Sequence, residues 1–566
     1  MNREFEVVSG GRAVSTLRVH VTGSTLLRSP LLNKGTAFTD EERSALGLHG
    51  ILPPVVHSIE EQVTHAYAAF VAQPSPIAKY VFLRALQDRQ EILFYALLEK
   101  HIAKLLPIVY TPTVGEGVQR FCELYQEPRG LLVATSTIDR ARELVKNHPL
   151  EDVRMIVATD SSAILGIGDQ GHGGVGIAIG KLALYTVGGG LSPFQSVPVG
   201  VDVGTDRQDL LGDPTYLGVR HARLKGPEYF AVLDAFVEAV RGRWPRAVIQ
   251  WEDFAKDAAF SVLDRYRDKI ASFNDDIQGT GAVALAGLLN ACRVRGEALR
   301  DQRVVVHGAG AGGVGVASAI HRGMMREGLS AEAAAERIFI TDSKGLVTLD
   351  RVVDEYKKPF AQPGGRIPGK DGKAPDLLAT VRGSKATVLI GLSGQPGSFD
   401  EATIRAMAEN TAHPVIFPLS NPTSSIEVTP AQVLAWTDGK AIVATGSPFD
   451  PVDVDGRRVE IGQGNNAFIF PGLGQGAILA EARALTDGMV LESAYALAEY
   501  TAARHPGAIY PPVSELQEVS ARVTTRVVTR AIADGVAGIG TQSPAEIEAL
   551  VREHFWRPIY PAIVKA

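Results

Sequence analysis

The sequence predicts an α/β protein: a helical N-terminal region, then two α/β domains, the second a doubly wound parallel sheet. Three observations predict it. Apolar residues recur at three- and four-residue spacing through residues 77–106 (IAKYVFLRALQDRQEILFYALLEKHIAKLL), which is helical periodicity. From about Val153 onward β-rich runs alternate with helix-like ones. Between residues 279 and 464 short apolar runs of strand length are separated by helical or polar segments, the texture of a sheet covered on both faces.

Taken in order, the chain opens with about 35 residues of mixed polarity, after which Ser58 is a helix N-cap with Glu61 as its capping-box partner. The periodic run 77–106 continues as helix and Pro107 closes it. Residues 153–160 (VRMIVATD) read as a strand, followed by a glycine-rich loop, a helix at 176–187 (GIAIGKLALYTV) and a strand at 197–204 (VPVGVDVG). The strands of the last sheet are expected at 304–306, 338–340, 388–390, 415–417 and 442–444. Residues 362–373 (QPGGRIPGKDGK) read as a surface loop. No internal repeat is detectable.

With 566 residues, 45% of them hydrophobic and 21% charged, the chain is long enough for several domains with large cores. A net charge of −6 and the lack of any basic cluster interleaved with aromatics argue against nucleic acid. The two cysteines, Cys122 and Cys292, form no CxxC motif, so neither a disulfide framework nor a zinc site is suggested, and a cytoplasmic location fits best. The N-terminal stretch lacks a signal-peptide core, and nothing approaches the roughly 18 apolar residues of a membrane span, so no membrane role is expected.

Residues 250–254 (QWEDF) and 273–281 (FNDDIQGTG) concentrate Glu252, Asp253, Asp275 and Asp276. Adjacent acids are costly to bury unless a cation holds them, and an all-oxygen donor set favours Mg²⁺ or Mn²⁺. A solvated acidic turn is the alternative.

In RVVVHGAGAGGVG, three valines lead directly into Gly308, Gly310 and Gly313 and then a helix-forming run, the strand–turn–helix order of a Rossmann-type dinucleotide site. Asp342, ending the next strand, is placed to accept hydrogen bonds from an adenine-ribose diol, although an Asp there is also a common turn residue. Gly171, Gly173 and Gly176 satisfy the same glycine pattern, with Asp202 beyond them. The Gly308 site is preferred because an uninterrupted β-branched strand precedes it. The earlier loop reads as close backbone packing or as a floor for substrate.

Eight ordered blocks, LLNKGTAF, VYTPTVGE, ILGIGDQG, WEDF, FNDDIQGTG, GAGAGG, SNPTS and GQGNNAFIFPG, closely resemble the malic enzyme family from about residue 30 to beyond 480. The resemblance implies oxidative decarboxylation of L-malate to pyruvate and CO₂, with NAD as hydride acceptor and Mn²⁺ or Mg²⁺ bound. It makes Glu252, Asp253 and Asp276 the metal ligands, Lys181 the general base with Asp275 as its partner, and Tyr110 the general acid. Asn421 and Asn466 correspond to residues that contact substrate and nicotinamide, and Asp276 and Asn421 also to cofactor contacts. A base lysine requires a lowered pKa, which burial beside a divalent cation is expected to give. Without the resemblance, Lys181 reads as a snorkelling side chain, Tyr110 as packing at a turn and the asparagines as turn formers.

One departure stands out. Ala163 occupies the place of a substrate-gripping arginine in many malic enzymes, which implies altered malate affinity or transfer of that task to another arginine. The related malolactic enzymes, which convert L-malate to L-lactate with retained NAD, also lack that arginine and are the alternative reading. A protein that binds malate and nucleotide without turnover is a third. Asp342 favours NAD over NADP, with Ser343 and Lys344 as a partial offset.

The expected organisation is a mainly helical region over 1–129, and a substrate and metal domain over 130–277 to which the chain returns over 465–540. The NAD domain spans 278–464 and a C-terminal tail 541–566. The resemblance implies a homodimer or homotetramer.

Overall fold

In a computed structural model of the chain, which describes residues 4–8 and 16–566, strands β1 (Phe5–Val7) and β2 (Thr16–Val19) pair antiparallel. Residues 1–3 and 9–15, part of the stretch read above for a signal segment, lie outside the described residues. Helix α1 (Ile59–Val71) opens on the expected capping box: Glu61 N donates to Ser58 Oγ (3.2 Å) and Ser58 N to Glu61 Oε2 (2.8 Å).

The helical run expected over 77–106 is divided into three helices: α2 (Pro76–Arg89), α3 (Glu91–Lys100) and α4 (Ile102–Val109). The first break is set by partners distant in sequence. Glu91 N donates to Pro30 O (3.0 Å), and the buried Glu91 carboxylate takes Arg129 Nη1 at 2.8 Å. Pro107 lies inside α4 instead of closing the run. Its missing N–H would have served the carbonyl of Ala103, an exposed residue, so the bond is given up on the solvent side while Leu105, Leu106, Ile108 and Val109 stay buried.

A five-stranded sheet follows, built from β3 (Leu131–Ala134), β4 (Met155–Thr159), β5 (Ser196–Asp202), β6 (Val248–Glu252) and β7 (Ser272–Asn274). The order is β3-β5-β4-β6-β7, parallel throughout. Helix α5 (Val175–Val187), buried at every residue, packs on β4 and β5. The glycines leading into it are close-packed: a Cβ at Gly173 would lie 2.9 Å from Phe121 Cβ and from Val118 O.

After α6 (Thr280–Arg295), each of the five apolar runs forms a strand. These are β8 (Val304–His307), β9 (Ile338–Asp342), β11 (Val388–Gly391), β12 (Val415–Pro418) and β13 (Ile442–Thr445). With β10 (Gly345–Leu346) and β16 (Gly462–Gln463) they make a sheet of order β10-β9-β8-β11-β12-β13-β16, parallel except for β10. A hairpin of β14 (Val452–Val454) and β15 (Arg457–Val459) precedes β16. The faces alternate. Val304, Val306, Ile338 and Ile390 pack with α6 and with α7 (Ala311–Arg326), whereas Val305, Phe339, Leu389 and Ile416 pack under helices Leu377–Ser384 and Glu401–Asn410. The chain runs outward from β8 to β9 and then crosses to β11, which makes the carboxyl ends of β8 and β11 the topological switch point.

Within the expected surface loop 362–373, Gln362 is buried, its amide donating to Ala335 O (3.1 Å) and Ile338 O (2.7 Å), and Ile367 is buried too; the rest is exposed. Helices α8 (Phe470–Leu479), α9 (Asp487–Arg504) and α10 (Leu516–Ala533) pack together, and α8 also touches α5. The C-terminal tail, residues 541–566, forms α11 (Pro544–His554) and β17 (Ala562–Lys565), the latter parallel to β2, with Trp556 N bonded to Gly190 O (2.9 Å).

Candidate active site

Parallel pairing of β6 with β7, Trp251 opposite Asn274, sets their carboxyl ends side by side. Glu252 and Asp253 therefore meet Asp275 and Asp276, which sit on one wide, π-helical turn, Asp275–Gly279. Carboxylate oxygens of Glu252, Asp253 and Asp276 lie within 4.8 Å of one another. Asp253 N donates to Asp276 Oδ2 (2.8 Å), Asp253 itself adopting φ +60°. Asp253 Oδ2 and Asp275 Oδ1 are buried without a partner. Glycine at 279 gives Asp275 its room, since a Cβ there would lie 1.8 Å from Asp275 Oδ1.

Burial dominates the electrostatics. It pushes Glu252 up to about 8 against the pull of Lys181, Asp276 up to about 6, and Asp253 well above the usual carboxylate range, where Asp276 and Glu252 add repulsion. Buried, mutually repelling oxygens, one of them orphaned, and no sulfur or nitrogen donor fit a hard divalent cation. The solvated acidic turn does not match this burial.

Lys181, on α5, is 1% exposed; its Nζ lies 2.8 Å from Glu252 Oε1 and donates to Asp275 Oδ2. The other Glu252 oxygen accepts from Gln250 Nε2 (2.8 Å). Burial pulls the Lys181 ammonium down, but Asp275 and Glu252 together outweigh it and hold it well above the ordinary range. The lowering expected from sequence belongs to the site with a cation bound: a cation on Glu252 would engage one of the two anions that raise Lys181 here. Tyr110, at the end of α4, places its ring centroid 5.6 Å from Lys181 Nζ, and burial raises its phenol. Asn466, just before α8, donates to Asp275 Oδ2 and to Thr280 Oγ1, both at 3.0 Å. Asn421 follows β12, and its Oδ1 accepts from Ser447 Oγ, which leaves its Nδ2 free.

Tyr110, Lys181, Glu252, Asp253, Asp276, Asn421 and Asn466 all line one cleft of about 300 Å³. Asp275 lies behind it, reached through Lys181 and Asn466. Asn465, whose Oδ1 is held by Ala467 N (2.9 Å), and Thr280 also line the cleft and were missed by sequence reasoning. Asn465 could have been found as the neighbour of Asn466 in GQGNN.

The glycine turn after β8 has the expected shape. Gly308 has φ +116° and faces Leu392 O, a Cβ at Gly313 would lie 1.7 Å from Gly308 O, and Gly310 borders open space. Asp342 lies elsewhere, in a cavity of about 790 Å³ with His307, Arg351 and Gln395. The loop after β11 borders both spaces, Leu392 lining the cleft and Gln395 the Asp342 cavity. A wider cavity of about 1620 Å³ opens at the amino ends of β6 and β7 and contains none of these residues.

Ala163 is exposed, its N–H donating to Asp253 O (3.0 Å). No arginine lines the cleft among the described residues. Arg223 and Arg207 reach the same loop, on Asp169 and Gln170.

A hard-cation site that shares its cleft with the switch point of a doubly wound sheet places the protein among the metal-assisted, dinucleotide-linked enzymes. The chain belongs to the malic enzyme family: residues 87–267 match the family model "Malic enzyme, N-terminal domain" and residues 277–532 match "Malic enzyme, NAD binding domain". It is 45% identical to the NAD-dependent malic enzyme of Pseudomonas savastanoi pv. phaseolicola, covering 96% of this chain and 98% of that one. It is 43% identical to NAD-dependent malic enzyme 3 of Bacillus subtilis, covering 99% of each. Its fold is shared with the crystal structure of Entamoeba histolytica malic enzyme at a TM-score of 0.57 and 23% identity, over 90% of both chains.

Proposed function

We propose that the protein oxidatively decarboxylates L-malate to pyruvate and CO₂ with reduction of NAD⁺, in the presence of Mn²⁺ or Mg²⁺. The observation that carries the reading is the placement of Lys181 between Glu252 and Asp275 in the cleft that also holds Tyr110.

Glu252, Asp253 and Asp276 would hold the metal, which when bound supplies charge stabilisation at the malate C2 oxygen and C1 carboxylate. The NAD⁺ nicotinamide supplies the hydride acceptor. Lys181 Nζ takes the C2 hydroxyl proton, and the Asp275 carboxylate orients the amine and stabilises the ammonium so formed. Asn466, anchored on Asp275 and Thr280, and Asn421, with its free Nδ2, orient substrate and nicotinamide through neutral amides. Tyr110 delivers a proton to C3 after the C4 carboxyl leaves as CO₂, and Lys181, whose Nζ lies 5.6 Å from the Tyr110 ring centroid, replenishes that proton. Gly308, Gly310 and Gly313 receive the pyrophosphate and Asp342 the adenine ribose. The packed loop at 171–176 supports α5.

The relatives named NAD-dependent malic enzyme support this outcome, and no observation favours lactate. The family resemblance supports a homodimer or homotetramer, which light scattering tests. Two free cysteines support a cytoplasmic place, and no helix among the described residues is long and apolar enough to cross a membrane.

The test is one tube containing protein, L-malate, Mn²⁺ and NAD⁺, with NADH absorbance recorded and both pyruvate and lactate assayed. Equal NADH and pyruvate are expected, lost with EDTA and restored by Mn²⁺. Lactate without free NADH would overturn the reading in favour of malolactic chemistry.

A further inference from the structure

We infer that Glu427 is a positioning residue for the dinucleotide: its buried carboxylate ties together the loops after β11 and β12, between which the cofactor runs. The inference rests on the NAD reading of the cleft given above.

Glu427 is 0% exposed and follows the turn that carries Asn421. A single oxygen, Oε1, accepts from Ser393 N and Ser393 Oγ, both at 2.8 Å, and from Ser420 Oγ. Ser420 Oγ in turn accepts from Gly394 N (2.9 Å). Ser393 and Gly394 lie between Leu392, which borders the catalytic cleft, and Gln395, which borders the Asp342 cavity. Ser420 immediately precedes Asn421. One acceptor atom therefore fixes the loop spanning the two cavities relative to the residue at the nicotinamide end.

The chemistry of the anchor matches this task. Three donors converging on one oxygen suit an ionised carboxyl, and hydrogen bonds to a charged group hold geometry more tightly than neutral ones. Glycine at 391, the last residue of β11, admits the carboxyl, since a Cβ there would lie 2.6 Å from Glu427 Cδ. Glu427 Oε2 is buried without a partner, as is Nε2 of His307, the register partner of Gly391 on β8. A carboxylate kept at the switch point with one oxygen unpaired is a poor choice for stability alone. It holds two walls that must stay in register.

NAD⁺ is titrated calorimetrically into wild-type protein, Glu427→Ala and Glu427→Gln, with Mn²⁺ affinity, Tm and steady-state constants measured on the same preparations. Glu427→Ala is expected to raise both Kd and KM for NAD⁺ on the order of tenfold, with kcat within about threefold and Mn²⁺ affinity unchanged. Glu427→Gln, which keeps an acceptor oxygen, recovers most of the loss. Unchanged NAD⁺ affinity in Glu427→Ala, or parallel losses of Mn²⁺ and NAD⁺ affinity that follow a lowered Tm, overturns the inference. Failure of wild-type protein to bind NAD⁺ overturns instead the reading on which it rests. Should Glu427→Ala not fold, Ser393→Ala combined with Ser420→Ala removes the side-chain donors from the opposite side. That variant is expected to weaken NAD⁺ in the same way, and wild-type NAD⁺ affinity in it overturns the proposal.

Discussion

Arg351 grips Asp342 with two hydrogen bonds from one guanidinium nitrogen, each 2.8 Å long, while donating through its other terminal nitrogen to the Gly345 and Leu346 carbonyls. The carboxylate at the end of β9 is thereby held in place, with a positive charge beside it. Its repulsion of a 2′-phosphate depends on both residues. Asp342→Asn leaves a cationic Arg351 facing the same cavity, so the ratio of kcat/KM for NADP⁺ to that for NAD⁺ is expected to rise about 100-fold, a shift near 3 kcal/mol. Steady-state assays with both cofactors check this, and an unchanged ratio would remove Asp342 from cofactor selection.

Lys181 is the only cation lining the catalytic cleft among the described residues, and two carboxylates claim it. Lys181→Ala is expected to lower kcat by roughly 10³- to 10⁴-fold while leaving NAD⁺ affinity within a few fold, because the glycine turn and Asp342 lie elsewhere. Stopped-flow NADH formation and a separate NAD⁺ titration measure the two effects. Surviving turnover would mean that the assigned base is wrong.

Local patterns carried much of the fold. The apolar runs at 304–306 and 388–390 had only to be recognised as buried strands, and Ser58 with Glu61 announced a helix start by a mechanism confined to four residues. Failures arose where a distant partner decides. The break at Gln90 depends on Pro30 and Arg129. The same division holds at the site. Glu252 and Asp276 were legible as dense acids, but the crowding of Asp275 and Glu252 on the Lys181 nitrogen is a tertiary fact with no local signal. Glu427 has no sequence signal beyond its closeness to SNPTS.

His148 makes stability depend on pH. Its Nδ1 accepts from Leu150 N (3.3 Å), its ring packs edge-on against Trp244 at 5.9 Å, and burial, with the Arg243 charge adding, pushes its pKa down to about 4. The unfolded chain has the ordinary value near 6.5, so between the two the unfolded state binds more protons. This contribution to stability is therefore complete above about pH 6.5 and is lost as pH falls towards 4. His148→Gln, which keeps a neutral polar side chain, is expected to flatten that part of the stability curve, worth about 1 to 3 kcal/mol. Urea melts at pH 7 and pH 4.5 check it. Identical pH dependence in variant and wild type would show that other groups control the acid limb.

Ala163 offers a gain-of-function test of how the substrate is held. Its side chain is exposed beside Ile164 and Leu165, which line the cleft, and its backbone is fixed by the bond to Asp253 O. With no arginine in the lining, a dicarboxylate must rely on the metal and on amides such as Asn421 Nδ2 for its carboxylate contacts. Ala163→Arg adds a planar two-donor clamp at the mouth of the cleft. A charge-assisted pair of this kind is worth about 1.5 to 3 kcal/mol, so KM for malate is expected to fall on the order of tenfold or more, with KM for NAD⁺ unchanged. Ala163→Lys, which supplies charge without the fork, is expected to gain less. Were arginine to leave the malate KM where it was, the amides and metal would already satisfy both carboxylates, and the missing arginine would have no bearing on affinity.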